Sequence, residues 1–113
     1  MSADCLFCRI ARKEIPAAIV AENAHCVAFR DVNPQAPSHV LVVPRKHVAT
    51  LDAADDPDLV GQVMLMAAEV ARAEGIVASG YRTVVNTNAG AGQTVFHLHV
   101  HVLGGRRMTW PPG

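Results

Sequence analysis

The sequence lacks the features that mark several large classes of protein. Its apolar runs stay far below the about 20 residues of a membrane-spanning helix, so we expect no membrane partner. Basic and acidic side chains number 10 each, which leaves no basic excess to attract nucleic acid. Internal repeats and low-complexity segments are missing too. Asp4 and Cys5 interrupt any signal-like N-terminus, which favours a cytoplasmic protein.

Cysteine is also scarce, with 3 in 113 residues. In a reducing cytoplasm these are poor disulfide candidates and better candidates for metal binding or thiol chemistry. Cys5 and Cys8 form a C-x-x-C pair, which is compatible with zinc coordination, with a redox dithiol or with two small buried side chains. A redox pair would favour a βαβ context, which the pattern does not show. Cys26 lies in a predicted strand, where we expect no chemistry.

Periodicity and turn residues predict two helices and five strands, and the length suits one domain over residues 1–113. Asp4 would cap a short helix over residues 5–13, which ends before Pro16. Asp56 would cap a long helix that begins at Pro57 and reaches Gly75. The predicted strands cover residues 18–22, 26–30, 39–43, 82–86 and 97–103. The apolar run of the third strand places it near the middle of a sheet.

The most informative stretch is His97-Leu98-His99-Val100-His101-Val102-Leu103, in which three histidines alternate with apolar residues. Alternation predicts a half-buried strand whose imidazoles stand in a row, with neighbours about 6.6 Å apart. The row fits ligands that converge on zinc, or a nucleophile whose neighbours orient a phosphoryl group. Packed histidines without function are disfavoured, because adjacent imidazoles must each find a hydrogen-bond partner.

The loops near this row bear on the choice. Gly90-Ala91-Gly92 either makes a plain turn or brings backbone N–H groups to an anion, and Thr94 follows it. Because this loop immediately precedes the histidines, it favours phosphoryl chemistry over bare metal binding. Without further context, Asp31 would be a turn cap, and a lone loop histidine such as His47 would be solvated.

The histidine row matches the signature of the histidine-triad (HIT) superfamily, and the chain resembles its nucleotide-binding (Hint) branch over nearly its whole length. The other matching segments are residues 12–16, 31–37, 44–47 and 92–94, His39 and the ending Trp110-Pro111-Pro112-Gly113. Length and tail distinguish the chain from the Fhit-type dinucleoside hydrolases. The resemblance implies an α+β fold, with a mostly antiparallel five-stranded sheet, one long helix and one short helix.

The resemblance also implies hydrolysis of purine nucleoside 5′-phosphoramidates, such as AMP joined to an amine, through a covalent nucleotidyl-histidine intermediate. His99 would be the nucleophile, His101 would contact the phosphate and His39 would hydrogen-bond within the histidine network. Thr94, where the family usually has serine, would meet the phosphate or the leaving amine. One alternative is a nucleotide-binding or scaffold protein with weak hydrolysis, and another is a zinc hydrolase that uses the three histidines as ligands.

The implied nucleotide is a purine nucleotide such as AMP or GMP. Asp31 would accept the ribose hydroxyls. Apolar side chains would enclose the base and the glycine loop would surround the phosphate, which assigns Phe7, Ile15, Phe29 and Val32 to the base and Asn86, Gly92 and Gln93 to the phosphate.

Several bacterial relatives that resemble this chain hold a structural zinc ion through a C-x-x-C pair and two histidines. The matching positions here are Cys5, Cys8, His47 and His97. Two thiolates and two imidazoles make a closed tetrahedral set with no open position for catalysis, so no metal is expected in the reaction. Family members usually pair as homodimers with joined sheets, which would bring the Trp110 tail near the partner's active site.

Overall fold

A computed structural model describes residues 5–113 of the chain. Its regular elements are α1 (Leu6–Ala11), β1 (Ile19–Glu22), β2 (Cys26–Arg30), β3 (Ser38–Pro44), α2 (Pro57–Ala73), β4 (Tyr81–Val84) and β5 (Val100–Gly104). The strands form one antiparallel sheet in the order β1-β2-β3-β5-β4. The α+β class, with one long and one short helix, is therefore confirmed. No helix within the described range is long and apolar enough to cross a membrane.

Strand β3 lies at the centre of the sheet, and every one of its residues is buried. Val40 and Val42 face α2 and join the larger core cluster with Met66. Leu41 and Val43 face the opposite side, where a second cluster includes side chains of α1. The continuous apolar run thus predicted both the central position and the two-sided burial. Because β3 pairs Leu41 with His101, the histidines lie on the α1 side of the sheet.

Helix α2 begins as predicted, since the Asp56 carboxylate accepts hydrogen bonds from the backbone N–H groups of Asp58 and Leu59. The helix ends at Ala73, shortly before Gly75. The φ of Gly75 is 71°, a left-handed conformation in which a right-handed helix cannot continue. Glu74 then forms a two-pronged ion pair with Arg30 of β2, at 2.8 and 3.0 Å, which fastens the end of α2 to the sheet.

The predicted bounds of the first helix were too wide. Helix α1 covers only Leu6–Ala11, and its N-cap is Cys5, whose Sγ accepts a hydrogen bond from the Cys8 N–H at 3.4 Å. The Asp4 cap that we predicted lies outside the described residues. The chain leaves the helix before Lys13, which has a φ of 62°.

The prediction that the last strand starts at His97 was wrong, because β5 begins at Val100. Continuing the β3–β5 register would place Leu98 opposite Pro44, which has no N–H to donate to a ladder. The Leu98 N–H instead donates to the carbonyl of Val48 at 2.6 Å. The backbone of Leu98 is therefore bound to the loop after β3 and does not extend the β5 ladder. Strand β4 also ends early, at Val84.

Candidate functional site

A cleft of about 480 Å³ opens on the α1 side of the sheet. Its walls are largely apolar and include Leu6 and Ile10 on one side of α1, together with Leu41 of β3. Polar side chains reach it from the loop after β2 and from the segment that leads into β5. Such a cleft, mostly apolar with a few convergent polar groups, is the usual form of a small-molecule site.

Most of the predicted nucleotide-binding residues line this cleft, and they are Phe7, Phe29, Asp31, Val32, Thr94, His99 and His101. Val32 stands at its rim, fully exposed to solvent. The remaining four, Ile15, Asn86, Gly92 and Gln93, do not line it. Ile15 instead packs against the α1-side core cluster.

The tautomer of the neutral His99 ring follows from its surroundings. Its Nδ1 lies 2.7 Å from the backbone carbonyl oxygen of His97, which can only accept a hydrogen bond. Nδ1 therefore carries the proton, and in the neutral ring Nε2 keeps its lone pair. The Phe7 ring packs edge-on against the His99 ring at 5.1 Å between centroids. These contacts fix the orientation of a buried imidazole and direct its lone pair, in the neutral ring, to Nε2.

The opposite tautomer follows for His101. The backbone N–H of Gln35 lies 3.0 Å from Nδ1 of His39, which must therefore be an acceptor. The proton of neutral His39 is then on Nε2, which donates to Nδ1 of His101 at 2.9 Å. His101 in turn carries its own proton on Nε2. The ring centroids of His99 and His101 lie 5.1 Å apart. A nitrogen lone pair on His99 and an N–H donor on His101 therefore stand side by side.

Burial keeps this histidine network uncharged. Burial, with smaller contributions from the neighbouring His99 and His39 and against the opposing charge of Asp31, lowers the pKa of His101 to about 4. Burial also lowers the pKa of His39, against the opposing charge of Asp31 at 3.4 Å. Both rings are therefore neutral near pH 7, as their shared hydrogen bond requires.

The loop before Thr94 is braced by one buried side chain. The Gln93 carbonyl oxygen accepts from the N–H of Asn88 at 2.8 Å. Its amide nitrogen donates to the carbonyls of Ala49 and Val95 at 3.0 and 3.1 Å. These bonds use the side-chain amide of Gln93 to hold the loop, while the adjacent Thr94 lines the cleft.

A second cluster brings together the four predicted metal ligands, with their ligand atoms all within 4.8 Å of one another. Nδ1 of His97 lies 3.2 Å from Cys5 Sγ, 3.4 Å from Cys8 Sγ and 3.2 Å from Nδ1 of His47. Tetrahedral zinc with two thiolates and two imidazoles has N–N and N–S edges of about 3.3–3.6 Å, so the donor set fits such an ion. The Nε2–H of His97 donates to the Pro44 carbonyl at 2.8 Å, which leaves Nδ1 free to coordinate.

Several groups that shape the site are backbone atoms, which no sequence motif marks. They are the carbonyls of Pro44 and His97 and the N–H of Gln35. Leu6 and Ile10 were not predicted to line the cleft, although their helical spacing with Phe7 on one apolar side of α1 was a usable signal.

An open antiparallel sheet with a histidine network beside its central strand is the arrangement of the HIT-like α+β proteins. Residues 12–108 match the HIT domain family, and the chain belongs to that family. It is 54% identical over 115 residues to a HIT-like protein of Synechocystis, with 100% of both chains covered.

Two solved structures extend this comparison. A HIT family hydrolase from Legionella pneumophila superposes with a TM-score of 0.95 at 51% identity, covering 97% of this chain and 100% of that one. A histidine triad nucleotide-binding protein from Candida albicans gives a TM-score of 0.83 at 28% identity, covering 96% of this chain and 83% of that one.

Proposed function

We propose that the chain hydrolyses purine nucleoside 5′-phosphoramidates through a nucleotidyl adduct on His99. The observation that carries the proposal is the pair of opposite tautomers, a lone pair on His99 beside an N–H donor on His101. A neutral imidazole is a competent nucleophile, and a neighbouring N–H stabilises negative charge that develops on phosphoryl oxygens. The names of the Legionella and Candida relatives support a hydrolase and a nucleotide ligand, respectively.

The proposed reaction has two displacements at phosphorus. First, Nε2 of His99 forms a bond to phosphorus and the P–N bond of the substrate breaks; the amine leaves with the electron pair of that bond and takes up a proton from solvent. Water then attacks phosphorus and gives up a proton to solvent, the electron pair of the P–N bond to His99 returns to Nε2, and a nucleoside monophosphate and neutral His99 result. The net reaction consumes one water. His101 donates to a non-bridging oxygen throughout, and the Thr94 hydroxyl meets the phosphate or the leaving amine.

The cleft offers matching places for the rest of a nucleotide. Phe7 and Phe29, which contact each other edge-on at 5.3 Å between centroids, supply an apolar wall for a purine. Asp31 supplies a carboxylate that accepts the ribose hydroxyls, and Val32 covers the rim. Ile15, Asn86, Gly92 and Gln93 stay predictions, with indirect support through the packing of Ile15 and the loop that Gln93 braces.

The decisive experiment removes the proposed nucleophile. His99→Ala should abolish amine release from an adenosine 5′-phosphoramidate, because no other described cleft group pairs a bare lone pair with the His101 donor. His25→Ala is the matched control, since this histidine is exposed in the turn between β1 and β2. Amine release at the wild-type rate by His99→Ala would overturn the assignment. Tight AMP binding with negligible turnover by the wild type would instead favour the scaffold alternative.

We infer that Cys5, Cys8, His47 and His97 hold a structural zinc ion. The ion would tie the start of α1 to the loop after β3, and it would supply stability without taking part in the reaction. Metal analysis should find one equivalent in the wild type and none in Cys8→Ser, while Cys26→Ser, a buried cysteine outside the cluster, should keep it. The inference fails if the wild type carries no metal. Phosphoramidase activity that survives complete metal removal would exclude the zinc hydrolase alternative.

We further propose a homodimer. Within residues 5–113, β4 pairs only with β5, so its outer edge presents unpaired backbone groups. Tyr81 on β4 is partly exposed and Trp110 in the tail is 82% exposed, which suits burial against a second copy. Light scattering on the purified protein tests this directly, and a monomer at micromolar concentration would contradict it.

A further inference from the structure

Three polar groups meet beneath the cleft in an arrangement that the proposed reaction does not by itself require. They belong to Asp31, His39 and His101, each of which offers one ligand atom within 4.8 Å of those of the other two. His39 Nε2 lies 2.9 Å from His101 Nδ1 and 3.4 Å from Asp31 Oδ2. The N–H on Nε2 of His39 therefore faces two acceptors, Nδ1 of His101 and Oδ2 of Asp31.

Only one proton is available to satisfy them. The Gln35 N–H keeps Nδ1 of His39 unprotonated, because a proton there would set two N–H groups against each other. The His39 side chain is only 3% exposed, so bulk water has little access to it. Asp31 is better connected to the cleft, with its side chain 17% exposed and its Oδ1 accepting from the N–H of Asn33 at 2.8 Å.

The choice of acceptor determines what His101 presents to the cleft. When His39 donates to His101, the proton of His101 must be on Nε2, where it can donate to a phosphoryl oxygen. When the His39 ring turns its N–H away from His101 and towards Asp31, Nδ1 of His101 loses its donor. The proton of His101 can then move to Nδ1, because it no longer faces the N–H of His39. Nε2 of His101 then shows a lone pair, which repels a phosphoryl oxygen. The first arrangement is competent for the proposed chemistry and the second is not.

We propose that Asp31 couples ribose recognition to the histidine network, because ribose hydroxyls bound to Asp31 commit the His39 N–H to His101. A carboxylate oxygen that already accepts a hydroxyl is a weaker competitor for a further donor, so the bound ribose favours the competent tautomer. Asp31 is thus a positioning residue as well as a ribose ligand. This inference rests on the proposed phosphoramidase function and goes beyond it, since it makes the sugar a determinant of turnover.

The test compares two substrates, adenosine 5′-phosphoramidate and its 2′,3′-dideoxy analogue, on two proteins. On the wild type, the dideoxy analogue should lower kcat about tenfold or more and also raise KM. Without the ribose hydroxyls, Asp31 can compete for the His39 N–H with the strength of one charge-assisted hydrogen bond. Asp31→Asn keeps a carbonyl oxygen for the Asn33 N–H but is a poorer acceptor for His39. It should therefore turn over the dideoxy analogue with a higher kcat than the wild type does, while it loses affinity for the ribose substrate.

The outcomes separate the two ideas. If the wild type does not hydrolyse the ribose substrate, the proposed function fails. If the wild type hydrolyses both substrates with equal kcat and differs only in KM, Asp31 merely binds ribose and the coupling is refuted. An Asp31→Asn variant that is slower than the wild type on the dideoxy analogue also refutes it.

A second measurement needs no variant. In ¹⁵N spectra of wild-type protein bound to AMP, His101 should show a protonated Nε2 and an acceptor Nδ1, whereas 2′,3′-dideoxy-AMP should give a mixture of tautomers. The same His101 tautomer with both nucleotides would overturn the coupling.

Discussion

Acid should destabilise the fold through the buried histidine network beside the cleft. Burial lowers the pKa of His101 to about 4 from its ordinary value of 6.5. Between these two values the unfolded chain binds a proton that folded His101 does not, so the free energy of unfolding falls as pH falls. This contribution is fully present above about pH 6.5, declines below it and is exhausted near pH 4.

The magnitude follows from the same two values. Lowering the pH from about 7 to about 5 should cost about 2 kcal/mol through His101, and the whole interval corresponds to about 3 kcal/mol. These are upper values, because the ring is partly exposed to solvent, which screens its charge. The charged or titratable groups that face it are His99, His39 and Asp31, and only Asp31 favours the protonated form.

The assay is urea denaturation of the wild type and His101→Asn at both pH values. The variant should lose about 1–2 kcal/mol less stability than the wild type on acidification, since it carries no group to protonate there. Any pH response of the candidate metal cluster is common to both proteins and cancels in this difference. His25→Asn, altered at an exposed position, should behave like the wild type. Equal losses for the wild type and His101→Asn would refute the reasoning.

Three further predictions concern stability and can be checked by denaturation melts. Gly104→Ala should cost about 1–3 kcal/mol of stability, because the new Cβ would lie 2.7 Å from Cδ1 of buried Ile76. Its control, Gly61→Ala on α2, should stabilise the fold by about 0.5–1 kcal/mol, because the new Cβ meets nothing within 4 Å. An equal effect of the two substitutions would count against this packing. Asp56→Ala should cost about 1 kcal/mol through the lost cap of α2, and an unchanged midpoint would argue against that cap. A chelator should lower the melting temperature of the wild type but not of Cys8→Ser, whereas an equal shift in both would speak against the metal cluster.

Elements with local signals were predictable from the sequence. Strand β2 has the predicted bounds, and α2 begins where Asp56 and Pro57 predicted, because capping depends on neighbouring residues alone. The predicted start of β5 was wrong because it depends on a residue far away in the sequence. Alternation continued back to His97, but the opposite position on β3 is Pro44, and only the register of the folded sheet shows this.

The sequence predicted seven of the residues that line the cleft, whereas the roles of the individual residues stay predictions. Spacing brought the three histidines together, and the resemblance gave them separate roles. The structure supplies a physical basis for that separation, because each tautomer is set by a backbone group, namely a carbonyl for His97, a carbonyl for His99 and, through His39, an N–H for His101. Every residue except proline offers the same backbone groups, so no pattern of side chains could predict which one each imidazole meets.

His97 joins the two halves of the site within one residue. Its imidazole belongs to the candidate metal cluster, while its backbone carbonyl accepts a hydrogen bond from Nδ1 of His99. Phe7, between the two cysteines of the cluster, packs on both of these histidine rings and also lines the cleft. The orientation of the His99 ring therefore depends on His97 and on Phe7, which lies between two of the four candidate ligands. An ion held there would stiffen the surroundings of the proposed nucleophile without touching a substrate, so a closed metal site could support the proposed reaction without taking part in it.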